Sequence, residues 1–246
     1  MQRTQDIYNT ILKKISANQR QVAVLIDPDE YSEQNLNKLF SRDISNKIDY
    51  IFVGGSIIFS DIGKCIDNIK RYSNKPVIVF PGHSTHISNN ADALLLLSLI
   101  SGRNPEMLIG NHIIAAPKLK QSGLEIISTG YILIENGKTS SVQYMSNTQP
   151  IPREKVDIAV ATAIAGELLG LKMIYLEAGS GAANPVKNKM IESIKSNISI
   201  PLLVGGGLKT ATDINSKFNA GADIVVIGNA IENNPEILSE LLKFDK

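Results

Sequence analysis

The sequence is poor in cysteine and has almost no excess of either charge. Cys65 is the single cysteine among 246 residues, which excludes an intramolecular disulfide framework and a cysteine-rich metal site. Lysine and arginine together number 25 and aspartate and glutamate 24, so the formal net charge is only +1. Because nucleic-acid binding relies on a strong positive potential, we expect no nucleic-acid partner.

Long apolar segments are also missing. The most apolar run, ADALLLLSLI at 91–100, has about half the length that a membrane-spanning helix requires. The N-terminus, MQRTQDIYNTILKK, is polar and lacks the apolar core of a secretory signal. We therefore expect a cytoplasmic protein without a transmembrane segment, whose contact with membranes is limited to transient association at their surface.

What the sequence does contain is a regular alternation of short apolar runs with helical patterns. The runs that suit buried strands lie near 22–26, 50–53, 77–80, 93–98, 125–128, 173–177, 202–205 and 223–227. Strands that alternate with helices indicate a parallel sheet, and about 250 residues is the typical length of an eightfold unit. Composition does not shift along the chain. The prediction is an α/β fold, a (β/α)8 TIM barrel forming a single domain over residues 1–246.

Two connections depart from the regular pattern. Only about 11 residues separate the third strand from the fourth, which barely accommodates a crossover helix. The third helix is therefore predicted to be irregular or missing, which would open a groove in the outer wall. After the fifth strand, Asn136-Gly137 is a strong turn signal between two β-like runs, which predicts a β-hairpin insertion over 130–150 that could cover a site.

Side chains suited to chemistry collect where the strands end, which is where TIM barrels place their active sites. Glycines follow the seventh strand (Gly205 to Gly207) and the eighth (Gly228), where exposed backbone N–H groups can bind an anion. Asp27 and Ser56 follow the first and second strands and offer the hard oxygen ligands that Mg²⁺ prefers. A phosphate site on one side and a Mg²⁺ site on the other suggest two phosphorylated substrates.

Each candidate also has a structural interpretation. Asp27 could stabilise a turn or cap a helix, and Ser56 could cap a helix beginning at Ile57. Glu177, at the end of the sixth strand, could form a structural salt bridge. His83 and His86 lie in the short third connection, but a metal site at this spacing needs further ligands.

Five segments taken in order resemble one family. LIDPD (25–29), FVGGS (52–56), YLEAGSG (175–181), VGGG (204–207) and IGN (227–229) are similar to segments of the geranylgeranylglyceryl phosphate synthases. These prenyltransferases make the first ether bond of archaeal-type lipids and have relatives in some bacteria. Each motif alone is weak, whereas all five in order are fairly specific. The resemblance covers nearly the whole chain, including the missing third helix.

The resemblance implies a Mg²⁺-dependent enzyme that joins the sn-3 hydroxyl of sn-glycerol 1-phosphate to C1 of a polyprenyl diphosphate and releases diphosphate. Geranylgeranyl is the family's default donor group, and heptaprenyl occurs in some bacterial relatives. Asp27 and Ser56 match the metal positions, although some relatives have threonine where this chain has Ser56. Since related barrels associate, we also expect a homo-oligomer, either a dimer or a hexamer. The implied glycerol-phosphate contacts are Tyr175, Leu176, Glu177, Ala178, Gly179, Ser180, Gly181, Gly206, Gly207, Gly228 and Asn229.

The chemistry of this reaction suits the residue types. We predict Glu177 and Tyr175 as catalytic residues, with the carboxylate of Glu177 orienting and helping to deprotonate the acceptor hydroxyl. The same carboxylate can stabilise positive charge on the prenyl carbon, while Mg²⁺ neutralises the departing diphosphate. The apolar chain would need a long groove, for which the thin wall after the third strand is the candidate. Tyr131 either lines the site or packs in the hairpin.

Two other functions use similar glycines. A sugar-phosphate isomerase on the same barrel has one carboxylate at the first strand and another at the fifth. Here the fifth strand ends at Ser128-Thr129 without an acid. A phosphate-binding protein without catalytic activity would leave Asp27 and Glu177 without a role. The prenyltransferase is therefore the favoured function and a phosphate-barrel isomerase or related enzyme is the alternative.

Overall fold

The computed structural model describes residues 6–40, 42–228 and 237–243. Its parallel strands form a closed barrel in which each pairs with its neighbours in chain order, and β8 returns to β1 through the pairs Gln21–Ile224 and Val24–Ile227. The predicted TIM barrel is confirmed. The strands are β1 (Gln21–Ile26), β2 (Tyr50–Val53), β3 (Val77–Val79), β4 (Ala93–Leu99), β5 (Glu125–Leu133), β6 (Met173–Glu177), β7 (Leu202–Gly205) and β8 (Ile224–Ile227).

Helices cover the outside of the barrel. They are α1 (Ile7–Ser16), α2 (Glu33–Leu39), α3 (Arg42–Ser45), α4 (Ile62–Tyr72), α5 (Asn111–Ser122, preceded by a π-helical turn at Glu106–Gly110), α6 (Ser141–Ser146), α7 (Val156–Leu168), α8 (Asn188–Lys195), α9 (Ala211–Asn219) and α10 (Ile237–Leu241). None of the helices in the described ranges is both long and apolar enough to cross a membrane. The strands are mostly apolar because both faces are covered: Val22 and Val24 pack towards the helices, whereas Ala23 faces the barrel interior.

The N-terminal end of the barrel is closed by α1. Ile7 and Ile11 are buried in the same cluster as the interior side chains of the strands. The backbone N–H groups of Ile7 and Tyr8 donate to the carboxylate of Glu125, at 2.6 and 2.9 Å, at the start of β5. A carboxylate at a helix N-terminus satisfies donors that have no partner within the helix. With this end closed, the C-terminal ends of the strands form the accessible mouth.

The connections after β2 and β3 shape one side of the mouth. Residues 80–92, all of them described, join β3 to β4 without a helix. The helix predicted from Ile57 begins only at Ile62, so that prediction was wrong. Asp61 caps it, and the carboxylate of Asp29 holds the N–H groups of Phe59 and Ser60 at 2.9 and 2.7 Å, which fixes this stretch as a loop.

The hairpin predicted over 130–150 was also wrong. Strand β5 continues to Leu133, and a single bridge joins Ile134 to Ile151 in parallel, so no return strand forms. Gly137 does turn the chain, at φ +90°. The side chain of Asn136, however, binds the loop after β6 through Ala178 O, and Ser140 then caps α6. The excursion is therefore a short helix rather than a ribbon.

Candidate active site

The C-terminal ends of the strands surround a cavity of about 400 Å³. Most of the predicted site residues line it: Asp27, Ser56, Tyr175, Glu177, Ser180, Gly181, Gly206, Gly207 and Gly228, together with Tyr131. Leu176 and Ala178 instead pack in the cluster between strands and helices, and Gly179 lies just outside the lining. Asn229 is outside the described residues. Residues far apart in the sequence thus meet in one place.

Glu177 is the most deeply placed acid of this cavity. It is 7% exposed, and one carboxylate oxygen accepts the Gly179 N–H at 2.5 Å. The hydroxyl of Tyr175 also donates to it. Burial raises the pKa of Glu177 above its ordinary value, and these two hydrogen bonds oppose the rise. In the described part of the chain no lysine or arginine pairs with this carboxylate, which disfavours the salt-bridge interpretation.

The glycines after β7 make room for these polar groups. A Cβ atom on Gly205 would lie 2.3 Å from the Tyr175 hydroxyl oxygen, and one on Gly206 would lie 2.4 Å from Glu177 Oε1. Gly206 and Gly207 also adopt positive φ, +85° and +71°, which favours glycine. Any side chain here would fill the space beside the carboxylate, so the glycines shape the cavity as well as exposing backbone.

Aromatic rings form one wall of the cavity. Tyr175 makes edge contacts with Tyr131 and Phe80, with centroids 5.4 and 5.5 Å apart, and Tyr131 and Phe80 are 6.0 Å apart. Burial raises the pKa of both tyrosines well above the usual value, and the Glu177 charge adds to this effect. Both hydroxyls therefore remain protonated. The ring faces offer electron-rich surfaces to a cation.

Asp27 and Ser56 face this wall from β1 and β2. Asp27 Oδ1 accepts the Asp29 N–H at 3.0 Å, so the turn interpretation holds. The other oxygen, Oδ2, lies beside Gly55, where a Cβ atom would come within 2.4 Å of it. Burial raises the pKa of Asp27. Ser56 does not cap a helix, because α4 begins at Ile62. Ser56 lines the cavity next to Gly55, whose lack of a side chain leaves room for Asp27. This position suits a metal ligand.

The donor set fits a cation that takes most of its ligands from a substrate. Within the described ranges, no group of three or more His, Cys, Asp or Glu side chains is arranged to hold a metal ion. Mg²⁺ commonly binds one or two protein oxygens together with substrate phosphates and water. Asp27 and Ser56 suit that arrangement, whereas His83 and His86 belong to no group of three or more such side chains among the described residues.

A second, apolar cavity of about 130 Å³ adjoins the first. It runs past the connection without a helix and under α5, where Leu94, Leu97, Ala115 and Leu119 line it. Gly55, Ser56, Phe80, Tyr131 and Val142 belong to both cavities, so the polar mouth continues into an apolar groove. The groove lies where the short third connection predicted it.

Some lining residues were not predicted from the sequence, and some predicted residues lie elsewhere. Phe80 and Lys209 line the polar cavity although neither was singled out; Phe80 could have been found, since it directly follows β3. Thr129 is not at the mouth, because β5 continues to Leu133 and the Thr129 hydroxyl donates to Ile127 O inside the strand. The acid that does follow β5, Glu135, is exposed and accepts the Arg153 N–H at 3.3 Å. No carboxylate from this strand lines the cavity.

Comparisons with known proteins agree with this geometry. The model of the PcrB family matches residues 15–244. The geranylgeranylglyceryl phosphate synthase of Chitinophaga pinensis is 46% identical over 96% of this chain and 94% of its own. That of Flavobacterium johnsoniae is 49% identical over 93% and 94%, respectively. Among solved structures, (S)-3-O-geranylgeranylglyceryl phosphate synthase from Thermoplasma acidophilum, in complex with its substrate sn-glycerol-1-phosphate, superposes with a TM-score of 0.89 at 29% identity, covering 96% of this chain and 95% of that one.

Proposed function

The chain belongs to the PcrB family and is a prenyltransferase of the geranylgeranylglyceryl phosphate synthase type, and we propose that it joins the sn-3 hydroxyl of sn-glycerol 1-phosphate to C1 of a polyprenyl diphosphate, with geranylgeranyl diphosphate as the donor. The observation that carries the proposal is the continuity of the two cavities. A polar cavity with one buried carboxylate opens directly into an apolar groove, which matches one phosphorylated polyol and one diphosphate with a long hydrocarbon chain.

The acceptor is assigned to the side formed by β6, β7 and β8. Backbone N–H groups around Ser180, Gly181, Gly206 and Gly207 would bind its phosphate, since such groups in glycine-rich loops attract anions. The relative from Thermoplasma acidophilum is in complex with sn-glycerol-1-phosphate, which supports the identity of the acceptor. The acceptor hydroxyl would then lie beside Glu177, at the centre of the cavity.

The donor is assigned to the opposite side. Asp27 and Ser56 would hold Mg²⁺ together with the diphosphate, and the ion would neutralise charge on the leaving group. The hydrocarbon chain would lie in the apolar groove between β4 and α5. This orientation places C1 of the donor between Ser56 and the rings of Phe80 and Tyr131.

The reaction is a substitution at C1 in which the acceptor oxygen replaces the diphosphate. The acceptor oxygen forms the new C–O bond, the bond from C1 to the diphosphate oxygen breaks, and the hydroxyl proton passes to the carboxylate of Glu177. Tyr175 orients that carboxylate through its hydrogen bond. Positive charge that develops on the allylic carbon is stabilised by the carboxylate and by the ring faces of Phe80, Tyr131 and Tyr175.

The test is to incubate the protein with Mg²⁺, radiolabelled sn-glycerol 1-phosphate and a series of prenyl diphosphates. Label extractable into organic solvent is the expected result, and its loss on removal of Mg²⁺ by a chelator tests the metal. Absence of extractable product with every chain length would overturn the proposal. Label transfer that persists in the chelator would instead remove Mg²⁺ from it.

A further inference from the structure

Lys217 is a buried lysine that the proposed reaction does not use. It lies on α9 and is only 4% exposed. Its ammonium group donates to Val186 O at 2.8 Å and to Asn188 Oδ1 at 2.7 Å. Burying an ammonium is costly unless hydrogen bonds compensate for the lost water. Burial accordingly lowers the pKa of Lys217, while the nearby Asp213 opposes that change. The hydrogen bond from this ammonium holds the carbonyl of Val186 in place.

A second cation binds the neighbouring carbonyl. The guanidinium of Arg153, which lies before α7, donates to Pro185 O at 2.6 Å. Pro185 and Val186 belong to the segment 178–187 between β6 and α8, here called the acceptor loop. Two consecutive carbonyls of this loop are therefore held by positively charged side chains from different parts of the barrel.

The start of the acceptor loop is tied down in the same way. The side chain of Asn136 donates to Ala178 O, and the side chain of Asn184 donates back to Asn136 O at 3.1 Å. Arg153 and Asn136 both come from the segment between β5 and α7, whereas Lys217 comes from α9. The loop is thus held both by the segment between β5 and α7 and by α9.

The tethered part of the loop packs directly against the glycine turn after β7. A Cβ on Gly207 would lie 3.0 Å from Pro185 N and 3.2 Å from Ala182 Cβ. Ser180 and Gly181, in the same loop, line the polar cavity together with Gly207. Displacement of the loop near Pro185 would therefore change the spacing between the two backbone segments assigned to the phosphate.

We propose that Lys217, together with Arg153, is a positioning residue that sets the acceptor loop in the shape that binds the glycerol phosphate. The inference rests on the proposed function, since it concerns the same acceptor site. Neither residue lines the cavity, so each acts through the backbone of the loop. Removing either donor frees one carbonyl, and an error of about 1 Å in the position of a bound group can cost on the order of a hundredfold.

The experiment compares Lys217→Met and Arg153→Met with the wild type. The dissociation constant for sn-glycerol 1-phosphate is measured by calorimetry without the donor, and KM for each substrate and kcat are measured in the label-transfer assay. The expected result is a rise of about tenfold or more in the acceptor's dissociation constant and KM, with KM for the prenyl diphosphate unchanged and kcat at saturating acceptor largely kept.

The matched control is Lys195→Met. Lys195, the last residue of α8, has a half-buried ammonium that pairs with Asp223 Oδ2 at 2.6 Å. Asp223 directly precedes β8, so this pair lies at the end of the barrel opposite the mouth. Replacement of Lys195 is expected to lower the melting temperature and leave the acceptor's dissociation constant unchanged. A merely structural role for Lys217 would give this same pattern.

The outcomes separate the two proposals. Two results would overturn the positioning role while leaving the prenyltransferase intact. One is unchanged acceptor affinity in both Lys217→Met and Arg153→Met; the other is an equal rise in KM for the acceptor and for the donor. A wild-type protein that neither binds sn-glycerol 1-phosphate nor transfers label would overturn the proposed function and this inference with it. If Lys217→Met does not fold, Arg153→Met decides, because Arg153 is only half-buried and its loss leaves no cavity in the core.

Discussion

Replacing Glu177 by glutamine tests the central chemical assignment with the smallest change of shape. The carboxylate accepts two hydrogen bonds, from Gly179 N–H at 2.5 Å and from the Tyr175 hydroxyl. Glutamine has one acceptor oxygen and one NH₂ group in the same space, so one of these donors loses its acceptor. It also cannot take a proton from the acceptor hydroxyl. The variant therefore keeps the volume of the site and loses its base.

Two magnitudes follow from this geometry. Loss of a general base lowers kcat by about 10²–10⁴-fold, which is the usual range for such groups. Leaving one buried donor unsatisfied costs about 1–3 kcal/mol of folding free energy. In a protein of this size each kcal/mol lowers Tm by roughly 2–4 °C, so the variant should melt several degrees lower yet remain folded at 25 °C. Binding of sn-glycerol 1-phosphate is expected to persist, since its phosphate contacts lie elsewhere.

The raised pKa of Glu177 predicts the pH dependence with a definite sign. Burial raises the folded-state pKa above the unfolded one, so the folded protein binds this proton more tightly. The stability that this gives is fully present below the unfolded pKa and is lost as pH rises through the folded pKa. Tm of the wild type should fall across that window relative to Glu177→Gln. The activity of the wild type should rise over the same window, because only the ionised base accepts a proton.

The assay measures label transfer at saturating substrates, acceptor binding by calorimetry and Tm against pH. Glu167→Gln is the matched control, because this carboxylate on α7 accepts hydrogen bonds from Ser199 at 2.8 and 2.6 Å on the far side of the barrel. Its kcat should equal that of the wild type. Wild-type turnover in Glu177→Gln would refute the assignment of the base, and loss of acceptor binding with retained fold would assign Glu177 to binding instead.

Three further substitutions test other parts of the site. Gly206→Ala places a Cβ 2.4 Å from the Glu177 carboxylate and should abolish acceptor binding. Gly170→Ala, with a similar φ of +81° and open space around it, should cost only stability; backbone strain contributes about 1 kcal/mol in each variant. Asp27→Asn keeps an oxygen for the N–H two residues later and should raise the Mg²⁺ concentration for half-maximal activity at least severalfold, while Asp61→Asn, which alters the cap of α4, should not. Ala115→Leu narrows the apolar groove and should lower kcat/KM for long prenyl diphosphates more than for short ones; equal effects on all lengths would place the chain elsewhere.

Much of the fold was predictable because its signals are local. Apolar runs bounded by glycine or proline gave β2 and β7 with their observed ends, at Tyr50–Val53 and Leu202–Gly205. The number of residues between β3 and β4 was enough to predict the absent helix. Site residues such as Asp27 and Glu177 could be predicted to converge, because parallel strands place all their C-terminal ends at one mouth.

The errors occurred where a tertiary contact decides between two local possibilities. Asn136-Gly137 favours a hairpin, yet the Asn136 side chain binds the loop after β6 and the return strand has no partner to pair with. Ser56 resembles a helix cap, yet Asp29, distant in sequence, holds the following residues in a loop. The end of β5 was placed too early because Gly130 lies within it. That glycine is needed where Ile100 and Ile174 approach to within 2.8 and 2.9 Å of its Cβ position.

The missing helix after β3 connects the fold to the chemistry. A full crossover helix would cover the space beside β3 and β4, where Leu94 and Leu97 instead line an open groove. Among the described residues, the groove adjoins the polar cavity at Gly55, Ser56, Phe80, Tyr131 and Val142. An apolar chain bound in the groove, as proposed, would therefore present its reactive end to Glu177 across the aromatic wall. A regular third helix would leave the proposed site for the glycerol phosphate in place but would occupy the groove assigned to the prenyl donor.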